Sequence, residues 1–251
     1  MGENLLQILP IIKEAGKIAM SYFNSDLSFK IKPDNSEISE ADLAVNNFIS
    51  SAIKEISNLP VIAEESDNMA SLIKDFWLVD PIDGTNSFIN KRTSFVINIA
   101  LIENSKPSYG FIYQPVCDKL YYNLDEVLLE EQGKTTKLEP KNLPSAIIAA
   151  VSYKNQNLQL ENFLKSNNII EYLNIPSGVK FGLLLEGKAH IYPRFGRTME
   201  WDIAAGHALL RKHRGGVFDL NGQEITYGKA GFENPNFIAL NNKELFNLLN
   251  F

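Results

Sequence analysis

Two carboxylates and a hydroxyl stand within six residues in Asp80-Pro81-Ile82-Asp83-Gly84-Thr85, directly behind the apolar run 76–79. The run reads as a short buried strand. Pro81 is expected to stop it and to bias Asp80 toward an extended backbone. Asp80 and Asp83 then sit on a turn at the strand's end, with Gly84 free to bend. Hard divalent cations take oxygen ligands at about 2.0–2.1 Å, and two ions about 3.5–4 Å apart can clamp both ends of an in-line phosphoryl displacement. One bridging carboxylate, a second carboxylate and the Ile82 carbonyl between them suit that geometry. The plainer alternative is an exposed acidic turn capping a helix, because Asp, Pro and Gly are ordinary turn residues.

Three further acidic positions have similar settings. The apolar run 59–63 leads into Glu64-Glu65-Ser66 and repeats the strand-then-carboxylate pattern, although a lone Glu-Glu pair is usually a solvated face. Asp202 falls in the first turn of a helix predicted over 201–212, where the helix dipole favours a carboxylate and can also aim it at a cation. Ser39 and Asp42 read as N-cap and third residue of a helix running to about residue 56, which explains Asp42 as a cap.

Taken together, these stretches resemble the inositol monophosphatase superfamily of magnesium-dependent, lithium-sensitive phosphatases. Asp80-Pro81-Ile82-Asp83-Gly84-Thr85 is similar to its central signature and Trp201-Asp202-Ile203-Ala204-Ala205-Gly206 to its second. The stretch from Lys32-Pro33-Asp34 to Asp42 is similar to its Lys-x-Asp-x-Ser-x-Val-Thr-x-x-Asp segment. Ala63-Glu64-Glu65-Ser66 is similar to its Gly-Glu-Glu-Ser, with Ala63 for Gly. The likeness covers about residues 32–237. It implies an α/β (α+β layered) αβαβα sugar-phosphatase fold. It also implies two or three Mg²⁺ ions on Glu64, Asp80, the Ile82 carbonyl, Asp83 and Asp202, with Glu65 just outside. Asp42 would accept a hydrogen bond from Thr85, and that pair, with Glu64, would take or orient the proton of an attacking water. The Gly84, Thr85 and Asn86 amides would cradle the phosphate.

The stretch 192–208, Tyr-Pro-Arg-Phe-Gly-Arg-Thr-Met-Glu-Trp-Asp-Ile-Ala-Ala-Gly-His-Ala, resembles the bacterial 3′(2′),5′-bisphosphate nucleotidase branch. So do Ser177-x-x-Lys180-Phe181 and Asn234-Pro235-x-Phe237. That likeness implies adenosine 3′,5′-bisphosphate as substrate, cleaved to AMP and phosphate. A second phosphate needs a cation beyond the metals, and Lys180 and Arg194 are the candidates; each reads equally well as a surface charge. Arg197 stands where the branch has Pro, Asn86-Ser87 departs from the residues usual after the central Thr, and Arg214 precedes Gly-Gly. An inositol monophosphatase is the nearest alternative, and a non-catalytic scaffold of the same fold is a third.

The elements that must hold these residues are legible in outline. At 251 residues and 45% hydrophobic, the chain can bury a large core. Apolar positions from Leu5 to Tyr22 mark an amphipathic helix over 4–23, and residues 30–37 with Pro33 read as a loop. Runs at 95–102, 109–113 and 119–123 suggest an antiparallel meander, with a further hairpin around Gln132-Gly133. Residues 86–92 read as a loop or single helical turn. Strands at 146–151, 169–173 and 189–192 alternate with helices at 158–165, 177–186 and 201–212. A boundary in 139–144 divides the chain into halves 1–140 and 141–251, the second supplying Asp202.

A net charge of −6 with no Lys/Arg run argues against a nucleic-acid polymer. One cysteine, Cys117, suits a reducing compartment. No stretch is long enough to span a bilayer and the N-terminus lacks a basic leader flank, so a cytoplasmic location is expected, as a monomer or homodimer. The Walker-A-like spacing from Gly182 to Lys188 is filled by leucines and ends in Ala189, so it reads as a packed helix. His190, His207 and His213 accompany no hydrolase motif, and His207 reads as packing or surface. No Gly-x-Gly-x-x-Gly supports a nucleotide-dependent oxidoreductase.

Overall fold

The computed structural model describes residues 5–25, 29–31, 37–66, 73–152 and 157–251. Residues 32–36, which carry part of the family-like stretch before Asp42, lie outside them. The first helix, α1 (Ile8–Phe23), buries Ile8, Ile12, Ala15 and Ala19, a stripe at three- and four-residue spacing. The segment predicted as a loop contributes two short strands, β1 (Phe29–Ile31) and β2 (Glu37–Ser39), paired antiparallel. Then α2 (Glu40–Ile56) starts on a reciprocal cap: Ser39 accepts from the Asp42 amide while Asp42 Oδ2 accepts from the Ser39 amide.

These two helices cover one face of a seven-stranded sheet. Its strands are β3 (Val61–Ala63), β4 (Phe76–Asp83), β5 (Val96–Glu103), β6 (Lys106–Gln114), β7 (Lys119–Asn123), β8 (Val127–Glu131) and β9 (Lys134–Lys137). They lie in sequence order, antiparallel except for the parallel β3–β4 pair. The short helix α3 (Thr85–Ile89) follows β4. Alternation along β4 sends Trp77 and Val79 toward α1 and α2, and Phe76 and Leu78 into a second core on the other face. Burial on both sides explains the unbroken apolar run.

The second sheet contains β10 (Ile148–Val151), β11 (Glu171–Asn174), β12 (Ile191–Arg194), β13 (Gly216–Asp219) and β14 (Phe237–Leu240), ordered β11-β10-β12-β14-β13. Between the sheets lie α5 (Val179–Glu186) and α6 (Glu200–Lys212), with α4 (Leu158–Ser166) on the outer face. Phe181, Leu184, Trp201 and Ala205 share one core with Leu78 and Ile112 of the first sheet and Tyr192 of the second. Close approach is enforced at Gly110, where a Cβ would meet the Ala205 carbonyl oxygen at 2.2 Å. The layers are therefore αβαβα. Helix α5 ends at Gly187 (φ 76°) with Leu184 and Leu185 buried, so the Walker-like spacing is leucine packing. No helix among the described residues is long and apolar enough to cross a membrane.

Candidate metal and phosphate site

The expected stop at Pro81 does not occur, and that difference builds the site. Strand β4 continues to Asp83, with Asp80 opposite Asn98 and Asp83 opposite Val96, so one extra residue is accommodated between them. In a regular strand, residues three apart face opposite sides of the sheet. The bulge adds a residue and returns both carboxylates to one side, and a proline, which lacks an N–H, is tolerated at such a bulge. Asp80 Oδ1 accepts from the Ile82 amide at 3.1 Å inside it. Gly84 follows at φ 98°, as a sharp exit requires, and α3 begins at Thr85.

Glu64 reaches the same place through strand pairing. Ala63 is in parallel register with Val79, and the Glu64 amide donates to the Val79 carbonyl at 3.1 Å, which carries the ladder one step further. Glu64 thus lies alongside Asp80 at the shared C-terminal end of the two strands. Asp42 comes from the first turn of α2, its Oδ1 accepting from Thr85 Oγ1 at 3.1 Å; Thr85 Oγ1 is also 3.2 Å from the Ile82 carbonyl oxygen. Capping and the contact with Thr85 use different oxygens of Asp42, so both readings of that residue hold together.

The helices between the sheets close the site. Asp83 Oδ2 accepts from the Gly178 amide just before α5 and from Asn98 Nδ2 at 3.4 Å. A side chain at Gly178 would collide, since its Cβ would lie 2.9 Å from Asp83 Oδ2. Asp202, third residue of α6, accepts from the Met199 amide through Oδ2 at 2.8 Å. Lys180 is not a surface charge: it is 2% exposed, lies 4.7 Å above the Tyr192 ring, and donates to the Ser177 and Ile175 carbonyls at 2.7 and 3.3 Å. Arg194, at the end of β12, donates through Nη2 to the Arg197 carbonyl at 2.7 Å. Arg197 itself lies exposed, 3.6 Å from Glu233.

The charges feel one another. Burial raises the Asp80 carboxyl well above its usual range, reinforced by Glu64, Asp83, Asp202 and Asp42. Burial, then Asp83 and Glu64, push Asp202 up to about 8. Burial raises Asp83 too, against the pull of Lys180, the Gly178 amide, Asn98 and Arg194. Burial pulls the Lys180 ammonium down to about 8, opposed by Asp83 and Asp202.

This donor set fits a hard divalent cation. Each of Asp80, Asp83 and Asp202 gives one oxygen to a backbone amide and has no hydrogen bond at the other among the described residues. Their excess negative charge is what such an ion neutralises. Among the described residues, no three carboxylate, histidine or cysteine side chains stand close enough to form a finished coordination shell. Asp80 and Asp202 are nonetheless each raised in part by other carboxylates of the cluster, so they lie within electrostatic reach of one another. Gly178 and Asn98 escaped the sequence reading, because a glycine before a helix and a polar residue inside a strand carry no pattern of their own.

The sequence model of the inositol monophosphatase family matches residues 3–250. The chain belongs to the inositol monophosphatase family. Within it, the chain is 35% identical over 243 residues to the 3′(2′),5′-bisphosphate nucleotidase CysQ of Buchnera aphidicola, covering 93% of this chain and 92% of that protein. It is 32% identical to the CysQ of Salmonella typhimurium, covering 93% and 98%. The crystal structure of CysQ from Bacteroides thetaiotaomicron superposes with a TM-score of 0.83 at 27% identity, over 96% and 97% of the two chains. A Thermotoga maritima IMPase shares the fold, with a TM-score of 0.79 at 19% identity.

Proposed function

We propose that the protein is a magnesium-dependent 3′(2′),5′-bisphosphate nucleotidase that hydrolyses adenosine 3′,5′-bisphosphate to AMP and phosphate. The observation that carries this reading is the buried Lys180 beside the carboxylate cluster, supported by the CysQ relatives. A monophosphate needs only the metals and the amide cradle, whereas a substrate with a second phosphate gives a buried cation beside them a purpose. Inositol monophosphatase family members are generally Mg²⁺-dependent. Glu64, Asp80, the Ile82 carbonyl, Asp83 and Asp202 would hold two or three ions. Bound Mg²⁺ supplies charge neutralisation and a water of lowered pKa.

The chain's own residues do the rest. Thr85 Oγ1 donates to Asp42 Oδ1, so its lone pair is available to orient an attacking water and receive its proton as the Thr85 proton passes to Asp42. The Gly84, Thr85 and Asn86 amides, at the start of α3, hold phosphate oxygens. Lys180 and Arg194 bind the phosphate that is not cleaved. The division we propose at residues 140/141 separates the sheet bearing Glu64, Asp80 and Asp83 from the half that brings Lys180 and Asp202, so reaction occurs between halves. The exposed, unpaired Cys117 suits a reducing cytoplasm.

Phosphate release from adenosine 3′,5′-bisphosphate, inositol 1-phosphate, fructose 1,6-bisphosphate and NADP, with and without Mg²⁺ and lithium, tests the proposal. Preference for the adenosine bisphosphate, dependent on Mg²⁺ and inhibited by lithium, is expected. Preference for inositol 1-phosphate, or no release at all, would overturn it.

A further inference from the structure

Helix α6 starts badly by ordinary rules, yet it carries Asp202. Its N-cap is Met199, which supplies no side-chain cap hydrogen bond, where Ser, Thr, Asp or Asn would. The turn before the helix is braced instead by a neighbouring segment, which donates to its carbonyls. Asn234, buried, donates through Nδ2 to the Met199 carbonyl at 2.7 Å and lies 3.3 Å from Thr198 Oγ1, while its backbone amide donates to the Thr198 carbonyl at 2.9 Å. Met199 also forms an isolated antiparallel bridge with Glu233. One residue on, the fully buried Glu200 accepts from the Gly228 and Lys229 amides at 2.7 and 3.0 Å. The turn 198–200 is therefore stapled along its length to residues 228–234.

Met199 is also the residue that orients Asp202. Its amide donates to Asp202 Oδ2 at 2.8 Å, and its carbonyl accepts from the Asp202 amide at 3.2 Å, the same oxygen that Asn234 holds. Asn234 Oδ1 is buried with no hydrogen-bond partner among the described residues. With its oxygen unpaired, this amide serves through its donor side. We propose that Asn234 is a positioning residue, which through Met199 holds the Asp202 carboxylate turned so that Oδ1 faces a divalent cation. The inference rests on the metal reading above.

The test is a calorimetric titration of the whole protein with Mn²⁺ alone, without substrate. Four proteins are compared: wild type, Asn234→Ala, Asp202→Asn, and Asn241→Ala as a control. Asn241 is likewise a buried asparagine with one unpaired oxygen, but it donates to the Ala189 carbonyl away from the site. Groups that orient a metal ligand typically change affinity 10- to 100-fold, so N234A should bind Mn²⁺ about tenfold more weakly. D202N should lose more and N241A less than twofold. In turnover, N234A should recover at raised Mg²⁺ with little change in the KM for substrate. If N234A does not accumulate in soluble form, Asn234→Ser is titrated in its place, with at least about a threefold loss expected. Wild-type affinity in the Asn234 variant, or an equal loss in N241A, overturns this proposal alone. A wild-type protein that takes up no Mn²⁺ overturns the metal reading and this inference with it.

Discussion

Thr85 Oγ1 donates a hydrogen bond to Asp42 Oδ1 across 3.1 Å, joining the first turn of α3 to the first turn of α2 over 43 residues of chain. The opposite oxygen of Asp42 is taken by Ser39, through its amide at 2.8 Å and its hydroxyl at 2.5 Å. The carboxylate therefore cannot swing away from Thr85 without losing the cap. In the mechanism proposed above, that fixes Asp42 as the acceptor of a proton arriving through the threonine hydroxyl.

Thr85→Val keeps the shape and removes the hydroxyl, so kcat should fall roughly 100-fold at saturating Mg²⁺, with the melting temperature nearly unchanged. Asp42→Asn should lose comparable activity but also about 1 kcal/mol of stability, because it breaks the cap. Steady-state kinetics beside thermal unfolding separates the two effects. A T85V enzyme within threefold of wild type would remove the pair from the proton path.

Gly178 has a role no pattern reveals. Its amide holds Asp83 Oδ2, and a Cβ there would lie 2.9 Å from that oxygen and 2.9 Å from Val96 Cγ2. Gly178→Ala should leave a folded protein whose Asp83 is displaced. A shift of about 1 Å at a reacting centre can cost roughly 100-fold, so kcat should drop toward the near-complete loss expected of Asp83→Asn. Activity of G178A close to wild type would mean that Asp83 adjusts freely and holds no ion rigidly.

Lys180 allows a substrate-specific prediction. With its ammonium held down to about 8, it is charged at neutral pH and loses its proton as pH rises through that value. If it binds the second phosphate, kcat/KM for adenosine 3′,5′-bisphosphate should fall above about pH 8, while hydrolysis of a monophosphate should not follow that limb. Lys180→Met should raise the KM for the bisphosphate roughly 10- to 100-fold, the worth of one charged hydrogen bond. Equal losses on both substrates would place Lys180 with the metals instead.

Much of this architecture could be read from the chain because it is local. Ser39 with Asp42 is a capping pattern, the run from Phe76 to Val79 is a doubly buried strand, and Leu184 with Leu185 marks a packed helix. The bulge was not legible, since a proline after a strand ordinarily ends it and only pairing with Asn98 and Val96 shows that β4 continues. Nor was the burial of Lys180, because an ammonium over the Tyr192 ring depends on a strand that begins eleven residues later. His207 belongs to the core: it is buried, with Nδ1 2.9 Å from the Tyr227 hydroxyl and Nε2 3.4 Å from Glu224.

His213 sets part of the acid limit of the fold. It follows α6, is 2% exposed, and has no hydrogen-bond partner at Nε2 among the described residues. Burial, then Lys141, push its imidazole down to about 4, with Glu139 opposing. The folded protein thus keeps it neutral while the unfolded chain takes up a proton near pH 6.5. Its contribution is fully present above pH 6.5 and is lost as pH falls toward 4, on the order of 2–3 kcal/mol in all. His207, lowered by burial, and Glu224, held down to about 2 chiefly by the His207 ring 3.4 Å away, shift stability in the same direction. Urea unfolding of wild type and His213→Gln at pH 7 and pH 4 isolates the one residue, because the other groups act alike in both proteins. The variant should lose less stability between the two pH values. Equal losses would show that His213 is already protonated inside the fold.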